Sequence, residues 1–204
     1  MISVLDYGMG NVGSIVNMLK YLGEETRLAA KPEDIMSADK LILPGVGAFD
    51  HGMQRLHERG FTRVLNTAVL ERKMPILGIC LGVQLFTRGS QEGASSGLGW
   101  IAADTVRFQF GESDTRLKVP HMGWNRIEPV KENPLLRDLP PEPRFYFVHS
   151  YYIACDEPAD VLAWTTYGHR FASAIGRGNI WGTQFHPEKS HKYGLALLRN
   201  FAAI

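Results

Sequence analysis

Three short runs near the start of the chain are apolar with no polar alternation: "ISVLD" at 2–6, "DKLILPG" at 39–45 and "PILGI" at 75–79. A strand with one wet face alternates polar and apolar residues, whereas a strand without alternation is covered on both faces. The segments between them carry helical spacing. Val12, Ile15, Val16, Leu19 and Leu22 recur at three- and four-residue intervals, with Gly23 placed as a cap. Further helices are read over 49–57 and 62–72. Short apolar strands separated by helices predict an α/β fold, a parallel sheet flanked by helices on both faces.

The second half changes character. "GWIAADTVRF", "WNRIEPV", "RFYFVHSYYIA", "DVLAWTTYG" and "RFASAIGRGNIWGTQF" read as strands and turns, and a last helix covers 193–201. No linker rich in Pro, Gly or Ser separates the halves. The expectation is one domain over 1–204 with a central, mostly parallel mixed sheet whose later strands are partly antiparallel.

Several function classes fall away. The net charge is +1 with no basic block, which argues against a nucleic-acid partner. No apolar run approaches the roughly 18 residues of a membrane span, and the start does not read as a signal peptide. Cys80 and Cys155 are the only two cysteines, which suits a reducing compartment and gives no disulfide framework. The expected location is cytoplasmic. No Cys or His pair has zinc spacing and no phosphate-binding glycine loop ends in Lys-Ser/Thr, so neither a metal nor a cofactor is expected.

The third apolar run ends in "GICLGVQL", with Cys80 between Gly78 and Gly82 where a strand turns into a helix. Glycines fit a turn too tight for side chains. A helix N-terminus favours thiolate over thiol, and its free N–H groups can hold an oxyanion. This is the logic of a nucleophile elbow with sulfur in place of oxygen. A small buried core cysteine is the competing reading. A nucleophilic thiol needs a base, and the chain has seven histidines. In "FHPEKS", Pro187 holds His186 extended, and residues two apart on extended chain point the same way. Glu188 can therefore orient His186 and stabilise its charged form. A solvated strand end is the competing reading. His57, His169 and His191 are read as surface or packing residues.

Taken together, "PGVGAF", "GICLGVQL" and "FHPEKS" resemble the three signatures of the class I glutamine amidotransferases, in order and spacing, with a flavodoxin-like fold. "LDYGMGN", "PHMGWN" and "FYFVHSYY" narrow the likeness to the glutaminase subunits of imidazole glycerol phosphate synthase, over essentially the whole chain. The resemblance implies a catalytic triad of Cys80, His186 and Glu188. It implies an oxyanion hole from Leu81 and the Gly45–Val46 region, and a glutamine site from Gly47, Gln84, Glu92, His149, Ser150 and Tyr151. Ammonia would pass to a (β/α)8-barrel cyclase (HisF-type) in a heterodimer, contacted through Trp124, Tyr146 and Lys189. Core aromatics are the competing reading for Trp124 and Tyr146, although their neighbours His121, Asn125 and His149 are polar. A paralogous subunit supplying ammonia to a surface-polysaccharide sugar is the alternative role. A binding module without catalysis would lack one of the triad residues. A cysteine peptidase fits poorly with "PGVG" and with Gln84.

Overall fold

The computed structural model describes residues 1–111 and 117–204. The first three apolar runs form β1 (Ile2–Leu5), β3 (Lys40–Gly45) and β4 (Ile76–Cys80). With β2 (Thr26–Ala29) they pair in parallel, in the order β2-β1-β3-β4. Both faces of these strands are covered, as the missing alternation requires. In β3, Leu41 and Leu43 join one buried cluster and Ile42 the other. Helices α1 (Val12–Tyr21) and α5 (His191–Ala203) bury Ile15, Leu19, Leu197, Leu198 and Phe201 on the Ile42 side. Helices α2 (Phe49–Glu58) and α3 (Phe61–Asn66) bury Phe49, Leu56, Phe61 and Leu65 on the other.

The sheet continues past β4 into β12 (Ile180–Thr183), which pairs with it in parallel. Beyond β12 the pairing turns antiparallel through β11 (His169–Arg177), β10 (Val161–Tyr167) and β7 (Glu128–Pro129). A branch from β11 adds β9 (Tyr151–Cys155) and then β5 (Ala103–Arg107). The parallel half and the antiparallel half therefore meet at β4 and β12.

Four features depart from the sequence expectation. Strand β2 and a 3-10 turn over Pro32–Ser37 lie in a stretch to which no element was assigned; "TRLA" is too short and polar to announce a strand. The helix expected over 62–72 is α3 followed by a π-turn over Thr67–Glu71. "RFYFVHSYYIA" is two strands broken at Ser150. Its first part, β8 (Arg144–His149), leaves the main sheet and pairs with β6 (His121–Arg126) in a separate ribbon. Finally, the helix after Cys80, α4 (Leu81–Gln84), is a single turn.

Candidate active site

Cys80 closes β4 and caps α4 with φ +53 and ψ −110, a backbone conformation that L-residues seldom adopt. The chain is forced into it by close packing. A Cβ on Gly82 would sit 1.9 Å from the Leu43 carbonyl oxygen, and one on Gly78 2.6 Å from the Phe86 ring. Both glycines are steric requirements of the elbow. Because α4 has four residues, the helix dipole expected to favour the thiolate contributes little here. The local N–H groups, starting at Leu81, remain at the turn.

The expected base, His186, arrives from the other half of the chain. After β12 the backbone of His186 is extended (φ −102, ψ 97), and a 3-10 turn over Pro187–Lys189 follows. Its Nδ1 lies 2.7 Å from Glu188 Oε1, with the side chains 1% and 2% exposed. The His186 N–H donates to the Tyr146 carbonyl on β8 at 2.9 Å. The Ser190 hydroxyl donates to the His186 carbonyl at 2.6 Å and accepts the Tyr146 N–H at 3.0 Å. Burial lowers the pKa of this imidazole, but the thiolate of Cys80 and the carboxylate of Glu188 outweigh it, pushing it up to about 9. The Cys80–His186 contact falls short of hydrogen-bond geometry. His186 Nε2 and Glu188 Oε2 have no hydrogen-bond partner among the described residues.

A cavity of about 670 Å3 opens at Cys80. Val46, Gly47, Leu81 and Gln84 line one part of it, and Glu92, His149, Ser150 and Tyr151 another. Gly45, paired in register with Cys80, is buried beneath it. The hydroxyl of Tyr7, buried and without a partner among the described residues, packs where a Gly45 Cβ would stand. Glu92 accepts the Phe49 N–H at 2.8 Å, which ties the cavity wall to the start of α2.

The imidazole of His149 is fully engaged by the protein. The Tyr151 carbonyl can only accept, so His149 Nδ1 carries the proton across their 2.8 Å contact. His149 Nε2 then accepts from His121 Nδ1 at 2.9 Å. His121 Nε2 accepts from Asn125 Nδ2 at 3.2 Å, and that nitrogen also donates to the Thr166 carbonyl at 3.0 Å. The network closes only with both imidazoles neutral. Burial pushes His121 down to about 4 and His149 down to about 3, the latter against the favourable Tyr151 contact. Neither ring nitrogen of His149 is left free for a ligand in the cavity. His121 and Asn125 entered the sequence reading only as polar neighbours of Trp124, since two histidines 28 residues apart carry no local signal.

The three expected interface residues come together. Trp124 is 48% exposed, which removes the core reading for it. It meets the Tyr146 ring edge-on at 6.3 Å and stacks on His191 at 5.6 Å. Lys189 Nζ lies 5.6 Å from the centre of the Tyr146 ring and also reaches the cavity wall. His169 packs among Phe108, Phe110 and Tyr152.

A residue absent from the sequence reading also touches the Cys80 sulfur: Gln184 Nε2 lies 3.7 Å from Cys80 Sγ. The two-residue periodicity that pairs His186 with Glu188 extends backwards to Gln184 and was the available signal.

Comparisons with known proteins agree with this geometry. The family described as "Glutamine amidotransferase class-I" matches residues 3–204. The chain is 50% identical over 204 residues to a Pseudomonas aeruginosa protein named "Imidazole glycerol phosphate synthase subunit HisH 2", covering 100% of both. It is 47% identical over 204 residues to the Leptospira interrogans "Imidazole glycerol phosphate synthase subunit HisH", again covering 100% of both. Among solved structures, "Crystal structure of glutamine amidotransferase" superposes with a TM-score of 0.78 at 21% identity, covering 100% of this chain and 99% of that one. That last likeness concerns the fold alone.

Proposed function

The chain belongs to the class I glutamine amidotransferases and works as the glutaminase subunit of an imidazole glycerol phosphate synthase, and we propose that Cys80, His186 and Glu188 are its catalytic triad. The observation that carries this assignment is the buried His186–Glu188 pair acting on a cysteine held at a strained elbow.

The imidazole of His186, its pKa raised to about 9 beside Cys80 and Glu188, takes the proton of the Cys80 thiol as the reaction starts. The sulfur attacks the side-chain amide carbon of glutamine. The C=O electron pair moves onto oxygen, which the Leu81 N–H and a peptide N–H of the Gly45–Val46–Gly47 stretch stabilise. As the tetrahedral species collapses, His186 protonates the leaving nitrogen, the C–N bond breaks and ammonia departs. A γ-glutamyl thioester remains. Neutral His186 then takes a proton from water, the hydroxide adds to the thioester, and glutamate leaves as the thiolate and imidazolium reform. Glu188 orients the imidazole throughout and stabilises its charged form. Gly47, Gln84, Glu92, Ser150, Tyr151 and the backbone of His149 hold the substrate.

The partner in this reading is a (β/α)8-barrel cyclase of HisF type, which receives the ammonia in a heterodimer. Exposed Trp124 and Lys189 around the half-buried Tyr146 support that docking face, since Lys189 spans it and the glutamine cavity. The expected compartment is the cytoplasm; no helix among the described residues is long and apolar enough to cross a membrane.

The test is Cys80→Ala. Glutamine-dependent turnover of the complex should vanish while turnover with added ammonium salt persists. Equal loss of both would make Cys80 structural. Activation of the glutaminase by a sugar-amidating synthase, and not by the cyclase, would assign the ammonia to a sugar.

A further inference from the structure

Gln184 directly follows β12 and is wholly buried, its N–H donating to the Ser173 carbonyl at 2.9 Å. The orientation of its side chain follows from its neighbours. The Tyr151 carbonyl only accepts, so the Gln84 atom 3.2 Å away is the amide nitrogen. That same nitrogen lies 3.1 Å from the other amide group, which must present oxygen to it: Gln184 Oε1. Gln184 Nε2 is left facing Cys80 Sγ at 3.7 Å. The flipped amide would set two NH2 groups against each other and an oxygen against the sulfur. Three hydrogen bonds therefore fix a donor on the nucleophile.

We propose that Gln184 is a further catalytic residue of the glutaminase, donating an N–H to the Cys80 sulfur so that the thiolate is held and aimed before substrate arrives. The proposal rests on Cys80 being the nucleophile. The sulfur sits between two unlike neighbours. The Val148 carbonyl, 4.0 Å away, accepts only from the protonated thiol, whereas the Gln184 amide serves the thiolate. The titratable groups around the sulfur are His186 with its partner Glu188, Tyr7, whose hydroxyl burial and the Cys80 charge keep protonated, and His149, kept neutral by burial. His186 is the mobile proton carrier, since it must release its proton to ammonia. Gln184 keeps its donor throughout the cycle, so it stabilises the thiolate at the stage when it returns as a leaving group.

Glutamine 84 gains a second part in this arrangement. Through Gln84 Nε2 the Tyr151 wall of the substrate cavity and the Gln184 amide share one nitrogen. A Gln84 substitution frees the Gln184 amide to rotate, so its effect reaches the sulfur as well as the substrate.

The experiment uses the full chain carrying Cys155→Ala, so that Cys80 is the one thiol left. The rate of iodoacetamide alkylation is followed against pH, and glutaminase kcat and KM are measured in complex with the synthase partner. Gln184→Leu keeps the volume and removes the donor. Its alkylation midpoint should move up by about one to two pH units and kcat should fall about 10- to 100-fold, the loss of one hydrogen bond to a charged group, with KM little changed. Gln184→Glu keeps the shape, fills the site if the leucine variant fails to fold, and should move the midpoint up further by repelling the thiolate. An unmoved midpoint in the variants that fold overturns the proposal, even if kcat falls, because a structural defect alone explains that. A Cys80→Ala chain that still hydrolyses glutamine overturns the triad assignment instead.

Discussion

Two buried imidazoles serve the same site from two regions, and their protons behave in opposite ways. His186, on the turn after β12, is 1% exposed and its pKa rises to about 9. His149, at the end of β8, is 5% exposed and its pKa falls to about 3. Burial pulls both down. The difference is the neighbour: a carboxylate and a thiolate beside His186, a carbonyl and a second imidazole beside His149. The charge on His186 itself helps keep His149 neutral. A histidine with charged partners carries protons; one with neutral partners is a brace that ties β6, β8 and the cavity wall together.

The sharpest way to break that comparison is to remove the carrier. His186→Asn should cost about 1,000- to 10,000-fold in glutaminase kcat, and Glu188→Gln about 100-fold, because Glu188 orients without transferring protons. A Glu188 variant slower than the His186 variant would reverse the roles. Deleting the brace should act on stability instead. His121→Phe strands a buried acceptor on His149 and should lower the unfolding free energy by about 1–3 kcal/mol in urea titrations. Unchanged stability would mean that the His121–His149 contact carries no net energy.

The pH dependence of stability sharpens the contrast further. Between 6.5 and about 9 the folded chain holds a His186 proton that the unfolded chain has released. The stability this group contributes is complete below 6.5 and fades as pH rises through about 9. For His149 and His121 the unfolded chain binds the extra proton, so their contribution is complete above 6.5 and fades as pH falls towards 3–4. Denaturant midpoints across pH should fall less steeply on the alkaline side in His186→Asn and less steeply on the acidic side in His149→Phe. The smallest effect is expected at the exposed Arg88, which bridges Asp104 and Asp156. Arg88→Ala should leave the denaturant midpoint and the rate nearly unchanged.

The nucleophile's region was legible and the brace's region was not, for a physical reason. Most of residues 1–80 declare themselves locally, β2 and the turn after it excepted: unalternating apolar strands, helical spacing, and glycines where Cβ atoms would collide. The expected elbow and the short reach from His186 to Glu188 depend on residues within a few positions of one another. The β8–β6 ribbon, the break at Ser150 and the Gln84–Gln184 contact depend on pairings across tens of residues, up to 100 for the last. The dipole argument for Cys80 failed on length alone, since nothing in "LGVQLF" marks where a helix stops after one turn. Gln184 lies within reach of the sequence, since two-residue alternation on extended chain puts it on the same face as His186 and Glu188.

The backbone at Cys80 carries a consequence for how such a subunit can change over generations. At φ +53 and ψ −110 a side chain costs about 1–3 kcal/mol, and glycine pays little of it. Drift towards better folding therefore points away from cysteine at position 80. A copy relieved of its chemistry could settle into a sturdier form by losing the very atom that defined it, whereas a working copy must be kept slightly uncomfortable by selection on its product.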